Sequence, residues 1–252
     1  MKRRIFVGGI VALITGIAAA CSAPERAAAP EAASGADRVG GWVTTPLIDS
    51  VERGPGNLIV QGSAAPLGRV VLRGAGETAY AAGADDRGRV ELRIQPPAAD
   101  TLFVVETRTG QDAAPAPQRL LVAKDPAGPI ALLAAGAPTR RLDPAGALDV
   151  IDGDGEALVA SGRAAPGTKV SVLVGGAAAI ETLVGKDGRW SLLLDAPGGA
   201  ATDVTVGGRL YRYPGSGPAI SDGFALEAVQ GGFRASWRLS AASQQSSWFP
   251  NR

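Results

Sequence analysis

The sequence predicts an all-β protein, and three observations carry that prediction. Short apolar stretches alternate with turn residues at intervals of roughly 8–12 residues, which is typical of a sandwich of antiparallel strands. The 252 residues include 35 Gly and 18 Pro but only 5% aromatic residues, so we expect a core of Val, Leu, Ile and Ala between Gly/Pro turns. The chain also contains an internal duplication, which indicates two tandem domains.

The duplication aligns residues 62–92 with residues 162–192 without a gap. Both copies begin with Gly, one further residue and Ala-Ala-Pro, and both end with a Gly-Arg turn that leads into an apolar strand. The spacing between the copies is far longer than the roughly 20–50 residues of a solenoid repeat. Each copy is therefore expected to belong to a complete domain.

The strands of the two copies follow from local pattern. Alternation is clearest at residues 89–94, where Val90, Leu92 and Ile94 alternate with charged residues, as in a half-buried strand. The predicted strands lie at residues 58–62, 69–73, 78–81, 89–94 and 101–106 in the first copy and 157–160, 169–174, 179–184 and 189–194 in the second.

Three further apolar segments flank these copies. Residues 119–123 are expected to form the last strand of the first domain, and residues 130–133 are either the first strand of the second domain or part of a linker. Residues 224–229 and 233–239 flank Gln-Gly-Gly and predict a hairpin. This hairpin either completes the second sandwich or packs on its flank.

The repeated pattern resembles the bacterial immunoglobulin-like domains of surface and periplasmic proteins. The second copy carries their Pro166-Gly167 turn and the run from Asp187 to Trp190, while the first has Leu67 and Val90 at the corresponding Gly and Trp positions. The resemblance implies two tandem immunoglobulin-like β-sandwiches. We assign them to residues 42–135 and 136–222, with the C-terminal hairpin at residues 223–252.

The N-terminus has the features of a secretory signal. A basic start is followed by an apolar run from Ile5 to Ile17 and by the small residues 18–20 before Cys21. The run is shorter than the roughly 20 apolar residues of a spanning helix. The segment Ala-Ala-Ala-Cys resembles the lipobox of bacterial lipoproteins, which implies cleavage of residues 1–20 and a lipid on Cys21. An ordinary secretory signal with an incidental cysteine and an uncleaved anchor helix are the alternatives.

Residues 21–41 are rich in Ala, Pro, Gly and Ser and have almost no large apolar side chain. Such a segment cannot bury enough surface to offset its ordering entropy, so we expect a disordered tether. In the lipoprotein family, the residue after the cysteine directs sorting, and Ser22 implies the outer membrane of the bacterial cell envelope.

Composition excludes several classes of site. The chain contains no His and a single Cys, so disulfides, ordinary zinc sites and Ser-His or Cys-His nucleophile pairs are ruled out. The formal net charge of +1 gives no basic excess of the kind that nucleic-acid binding requires. No catalytic residue and no cofactor are predicted.

Two groups of residues remain as weak site candidates. Closely spaced carboxylates could bind calcium, although a solvated turn explains them equally well, and these are Asp149, Asp152, Asp154 and Glu156. Exposed aromatic side chains could stack on a sugar ring or anchor a protein, although core positions are the simpler interpretation, and these are Tyr211, Tyr213 and Trp248.

The function expected from the sequence is that of a membrane-anchored envelope lipoprotein without enzymatic activity. It would bind or space other components, with a protein as the expected partner, and it would contact the membrane through the lipid on Cys21. The alternative is binding of glycan or peptidoglycan through surface aromatics. A hydrolase that uses Asp152 and Asp154 is a third, less favoured hypothesis, and fold alone does not decide among them.

Overall fold

The structure, a computed structural model, describes residues 44–252 except 77, 110–111, 195–198 and 222. The predicted fold class is confirmed, since the described residues form an all-β protein of tandem sandwiches. The predicted signal peptide, Cys21 and the tether lie outside the described residues. Within the described residues, no helix is long and apolar enough to cross a membrane.

The first sandwich packs a three-stranded sheet A, ordered β1-β2-β5, against a six-stranded sheet B, ordered β4-β3-β6-β7-β8-β9. All neighbouring strands are antiparallel. The strands are β1 Leu47–Gly54, β2 Asn57–Ser63, β3 Arg69–Arg73, β4 Ala79–Gly83, β5 Arg89–Ile94, β6 Thr101–Thr109, β7 Asp112–Val122, β8 Ile130–Ala134 and β9 Ala137–Arg141.

The second sandwich packs a six-stranded sheet C, ordered β14-β11-β10-β19-β18-β17, against a four-stranded sheet D, ordered β13-β12-β15-β16. The strands are β10 Leu148–Gly153, β11 Leu158–Arg163, β12 Lys169–Val174, β13 Ile180–Leu183, β14 Arg189–Leu194, β15 Thr202–Val206, β16 Arg209–Tyr213, β17 Phe224–Val229, β18 Gly232–Arg238 and β19 Gln244–Pro250.

The internal duplication is visible in the strand register. Strands β2 and β5 pair Leu58 with Ile94, and strands β11 and β14 pair Leu158 with Leu194 at the corresponding positions. A register shift near the start of β1 recurs in β10. Strands β1–β7 and β10–β16 therefore repeat one arrangement, with order β1-β2-β5 over β4-β3-β6-β7 in the first copy.

Two glycines show why the duplicated segment begins as it does. A Cβ on Gly62 would overlap the backbone carbonyl of Leu47, and a Cβ on Gly162 would overlap that of Ala147. These carbonyls lie beside the register shifts of the first strand in each copy. Gly is needed here because the irregular backbone approaches closely, as at other β-bulges.

The strands outside the duplication join the two sandwiches. Strands β8 and β9 extend sheet B, and strands β17–β19 extend sheet C beside β10. Strand β9 belongs to sheet B although it follows residue 135, and the 224–229/233–239 segment forms the antiparallel pair β17–β18 within sheet C.

Sheets B and C pack on each other through their outer faces. The buried members of this shared core are Leu121, Ala131, Leu133, Val150, Ala235, Trp237 and Phe249. Successive residues of β7 and β8 point to opposite faces, so Leu120 and Leu132 enter the first sandwich while Leu121 and Leu133 enter the shared core. The result is a stack of four sheets in the order A, B, C, D.

Candidate functional site at the seam between the sandwiches

Strand β9 brings polar side chains to the seam between the sandwiches. Its buried residues Thr139 and Arg141 alternate with Pro138 and Arg140, which are more exposed. The strand forms the edge of sheet B and contacts β10 and β11 of sheet C. This placement directs Thr139 and Arg141 toward the polar residues of the second sandwich.

Asp152 is the centre of the first seam cluster. Its Oδ2 accepts the backbone N–H of Thr139 at 2.7 Å, and its Oδ1 accepts Ser247 Oγ at 2.5 Å and Gln245 Nε2 at 3.3 Å. The hydroxyls of Thr139 and Ser247 lie 3.2 Å apart. One carboxylate therefore ties β9 to β10 and β19, which come from distant parts of the chain.

The environment of Asp152 favours its neutral form. Burial raises the pKa of Asp152 above its ordinary value, while the hydrogen bonds from Ser247, Thr139 and Gln245 act in the opposite direction. A cleft of about 220 Å³ lies beside it, and Asp152, Asp154, Val159 and Gln245 are among its lining residues. Both oxygens of Asp152 are already held by protein donors, so its role here is structural.

Arg141 and Asp143 form the second seam cluster. Arg141 Nη2 lies 2.9 Å from Asp143 Oδ2, and both side chains are buried. Arg141 Nη1 also donates to the carbonyl of Pro250 at 2.8 Å, and its guanidinium lies 5.8 Å from the ring centroid of Phe249. Asp143 Oδ2 accepts Arg252 as well. Buried charges of this kind are tolerated when hydrogen bonds satisfy them, and here they join β9 to the C-terminal strand.

The four calcium candidates do not come together. Asp149 Oδ1 lies 2.8 Å from Arg163 Nη2, and Asp149 Oδ2 lies 3.5 Å from Arg189 Nη1. Asp152 is held by hydrogen bonds in the seam. Asp154 instead accepts the backbone N–H groups of Glu156 and Ala157 at 2.9 Å, which lowers its pKa. No group of three or more acidic, His or Cys side chains that could hold a metal occurs among the described residues.

Asp149 also differs from an ordinary surface carboxylate. Burial raises the pKa of Asp149, and the hydrogen bond and charge of Arg163 partly offset that effect. The calcium hypothesis therefore gains nothing from three of these residues, because Asp149 pairs with arginines, Asp152 accepts donors of the seam and Asp154 accepts backbone amides. The turn interpretation fits Asp154.

The three candidate ligand aromatics are core residues. Tyr211, Tyr213 and Trp248 are 5%, 2% and 1% exposed, so they do not offer rings to a sugar at the surface. Tyr213 packs edge-on against Trp248 with 5.9 Å between the ring centroids, and the Tyr213 hydroxyl lies 3.0 Å from Ser216 Oγ. Burial raises the pKa of Tyr213. The simpler interpretation of these positions as core residues fits, because the tyrosines of β16 and Trp248 of β19 face the core between sheets C and D.

Sequence reasoning singled out Asp152, as a calcium or hydrolase candidate, but missed the other residues that make the seam. Arg141 and Asp143 sit in a short segment after the predicted domain boundary, and their partners Pro250 and Arg252 are more than 100 residues away. The two consecutive arginines at 140 and 141 within a short strand were the only local signal. No local signal marked Gln245 and Ser247 as buried seam residues, because exposed strands also contain Gln and Ser.

Comparison with known proteins does not assign the chain to a protein family. It matches no protein-family model and no curated protein.

Proposed function

We propose that this protein is a lipid-anchored module of the bacterial cell envelope that binds or spaces other components without catalysing a reaction. The lipid is carried by Cys21 and inserts in the outer membrane. The residues between Cys21 and the first strand then act as the tether. The stacked sandwiches are the body that the lipid displays, and the expected partner is a protein.

The observation that carries the proposal is the shared core of sheets B and C. Tandem domains joined only by a linker would move independently, whereas this interface buries Leu133, Trp237 and Phe249 between the sandwiches. The ion pair of Arg141 and Asp143 and the cluster around Asp152 lie at the same seam. A body built in this way keeps a fixed distance between its two ends, which suits a spacer.

Exposed apolar side chains on sheet edges support a protein as the partner. Large exposed apolar residues of the second sandwich lie on β13, β14 and β16, which are the edge strands of their sheets. These residues are Ile180, Leu183, Leu193 and Leu210. Edge strands offer unpaired backbone groups to another chain, and apolar side chains beside them add buried area on association.

Acyl labelling of the full chain tests the anchor. Cells that express the wild type or Cys21→Ala are fed a labelled fatty acid and then fractionated. The wild type is expected to carry label and to sediment with the membrane, whereas Cys21→Ala loses both, because the thiol is the only attachment point in the chain. The tether variant Ser34→Ala is the control and keeps both. Equal membrane association of Cys21→Ala and wild type would contradict the proposal.

Cross-linking at native expression tests the partner. The intact lipoprotein is expected to recover one envelope protein reproducibly, and Leu183→Asp on the edge strand β13 reduces that recovery. Leu67→Asp, which changes an exposed leucine of the first sandwich, is the matched control. Recovery of no envelope protein with the wild type would overturn the binding role, while acyl labelling would still report on the anchor.

A further inference from the structure

A second cleft lies where strand β9 crosses strands β11 and β14. Its volume is about 270 Å³, and its lining includes Thr139, Arg140, Ser161, Arg189, Trp190 and Ser191. On β11, Leu158 and Ala160 enter the core of the second sandwich, so Ser161 lies on the opposite face, toward β9. The cleft is therefore bounded by both sandwiches.

Two hydrogen-bonding groups on the lining of this cleft have no partner among the described residues. Ser161 is only 7% exposed, and its buried Oγ makes no hydrogen bond within the part of the chain that the structure describes. Arg140 Nε, a donor on the lining residue of β9, is also buried and has no partner in the described ranges. A buried polar group without a partner is unfavourable, so the presence of two such groups at one cleft requires an explanation.

The equivalent cleft of the first sandwich gives an internal comparison. It is lined by the duplicated positions, with Gln61 for Ser161, Arg89 for Arg189 and Glu91 for Ser191. There the side chains satisfy one another, since Ser50 donates to Gln61 at 3.2 Å and Gln61 donates to Glu91 at 3.4 Å. The unpaired hydroxyl of Ser161 is thus a property of the second copy and not of the shared fold, whereas Arg140 comes from β9, outside the duplication.

The two clefts also differ in charge. Asp49, Asp85 and Glu91 surround the one arginine of the first cleft, and Asp85 binds Arg89 at 2.8 Å. The second cleft is lined by Arg140 and Arg189 against a single carboxylate, Asp187. Asp187 Oδ1 accepts the backbone N–H of Arg189 at 3.2 Å and serves its own turn. The lining residues of the second cleft therefore carry a net charge of +1.

The arginines of the second cleft are only partly neutralised. Burial lowers the pKa of Arg189, and the positive charge of Arg140 lowers it further, while Asp149 acts in the opposite direction. Arg189 Nη1 lies 3.5 Å from Asp149, a longer distance than the 2.8 Å that Arg163 makes to the same side chain. An anion in the cleft would relieve this repulsion.

We propose that the cleft between β9 and the β11–β14 pair binds a carboxylate group, carried by a small molecule or by the end of a peptide. A carboxylate matches the single excess positive charge of the lining. Its two oxygens accept hydrogen bonds from a guanidinium and from a hydroxyl such as that of Ser161. The site is independent of lipid attachment at Cys21 and adds a ligand class to the binding role.

Ligand-detected NMR on the full chain tests this site with N-acetylglycine as the probe and N-acetylglycinamide as its neutral counterpart. Saturation transfer is expected to N-acetylglycine only. Ser161→Ala removes one unpaired hydroxyl and is expected to weaken binding about threefold to tenfold, as loss of one hydrogen bond does. Arg189→Gln is expected to weaken it by about tenfold or more, because a charged donor is lost.

Arg89→Gln in the equivalent cleft of the first sandwich is the matched control and leaves binding unchanged. Thermal unfolding separates ligand binding from folding, since Ser161→Ala removes an unsatisfied buried group and keeps or raises the melting temperature. Equal saturation transfer to both probes, no transfer to either, or unchanged binding in Ser161→Ala and Arg189→Gln would overturn the proposal. Displacement of N-acetylglycine by an equal concentration of inorganic phosphate would overturn the assignment to a carboxylate.

Discussion

At the scale of single residues, the seam depends on carboxylates removed from water. Asp152 accepts three donors and Asp143 accepts Arg141, Arg252 and the backbone N–H of Ile130. Each carboxylate connects strands from different parts of the chain. Such groups stabilise one arrangement of the strands because any other leaves a charge or a donor unsatisfied.

The raised pKa of Asp152 predicts a pH dependence of stability. Below its ordinary pKa of 3.8 the side chain is protonated in both states, and as the pH rises the unfolded state loses the proton first. The free energy of unfolding therefore falls as the pH rises from 3.8 through the higher pKa of the folded state. Asp152→Asn removes this decrease. Urea unfolding of both proteins between about pH 3 and pH 8 measures it.

Asp85→Asn gives the opposite sign and serves as the comparison. The backbone N–H of Arg89 is the main cause of the lowered pKa of Asp85, so this carboxylate stabilises the fold above pH 3.8 and less as the pH falls. Asp85→Asn is therefore expected to lower the free energy of unfolding most at neutral pH and least in acid. If Asp152→Asn and the wild type had parallel pH profiles, the account of Asp152 would be wrong.

Leu67 offers a second prediction at this scale. It has φ of +61° where the equivalent Gly167 has +75°, and it is 79% exposed. A left-handed conformation costs a non-Gly residue roughly 1–2 kcal/mol, and the extra chain entropy of Gly offsets part of that. Leu67→Gly is therefore expected to raise the free energy of unfolding by up to about 1 kcal/mol in urea titrations.

The control for Leu67 is Leu210→Gly. Leu210 is half-exposed but lies within strand β16, where Gly weakens a strand, so this variant is expected to lose stability. A loss of similar size in both variants would show that backbone strain at Leu67 has no measurable cost.

At the scale of elements, the duplicated strands were predictable and the added ones were harder to place. Period-two alternation at residues 89–94 and the Gly-Arg turns located the central strands because those signals are local. The apolar segment 130–133 is predicted to be either the first strand of the second domain or part of a linker, and the structure places it instead in the first sandwich. It forms β8, which pairs with β7 in sheet B.

The pairing of β19 with β10 had no signal in the sequence. Ile151 pairs with Trp248, and a contact between such distant positions depends on how whole sheets stack. The same dependence on sheet stacking explains why the sequence did not predict the polar seam. The sequence favoured core positions for Trp248 and the tyrosines of β16, but that they face one another across sheets C and D depends on how those sheets stack. Residue types alone located neither the seam nor its cleft.

The first strand of each copy contains a register shift where another strand approaches closely. A methyl group added at that point is therefore expected to destabilise the fold strongly. Gly162→Ala is expected to lower the free energy of unfolding by about 2 kcal/mol or more, because the new Cβ would overlap the carbonyl of Ala147 and the ring of Trp190. Denaturant titration measures the change. Gly83→Ala in β4 is the control, since no atom of the described residues lies within 4 Å of the added Cβ, and it is expected to be neutral or slightly stabilising. Similar losses in both variants would contradict the close approach.

At the scale of the whole molecule, the four sheets behave as one structural unit. Sheets B and C each bury one face inside a sandwich and the other face against its neighbour, so neither sandwich has a complete surface without the other. In the proposed spacer role, the four stacked sheets would keep a fixed distance between sheet A and sheet D. This rigidity is the property on which the spacer role depends.

Calorimetric unfolding of the full chain tests that claim most directly. The wild type is expected to unfold in one transition whose calorimetric and van't Hoff enthalpies agree. Leu133→Asp places a charge in the shared core and is expected to separate the two sandwiches into two transitions, while Leu183→Asp on the exposed edge keeps one. Two independent transitions in the wild type would contradict the account of a single rigid body.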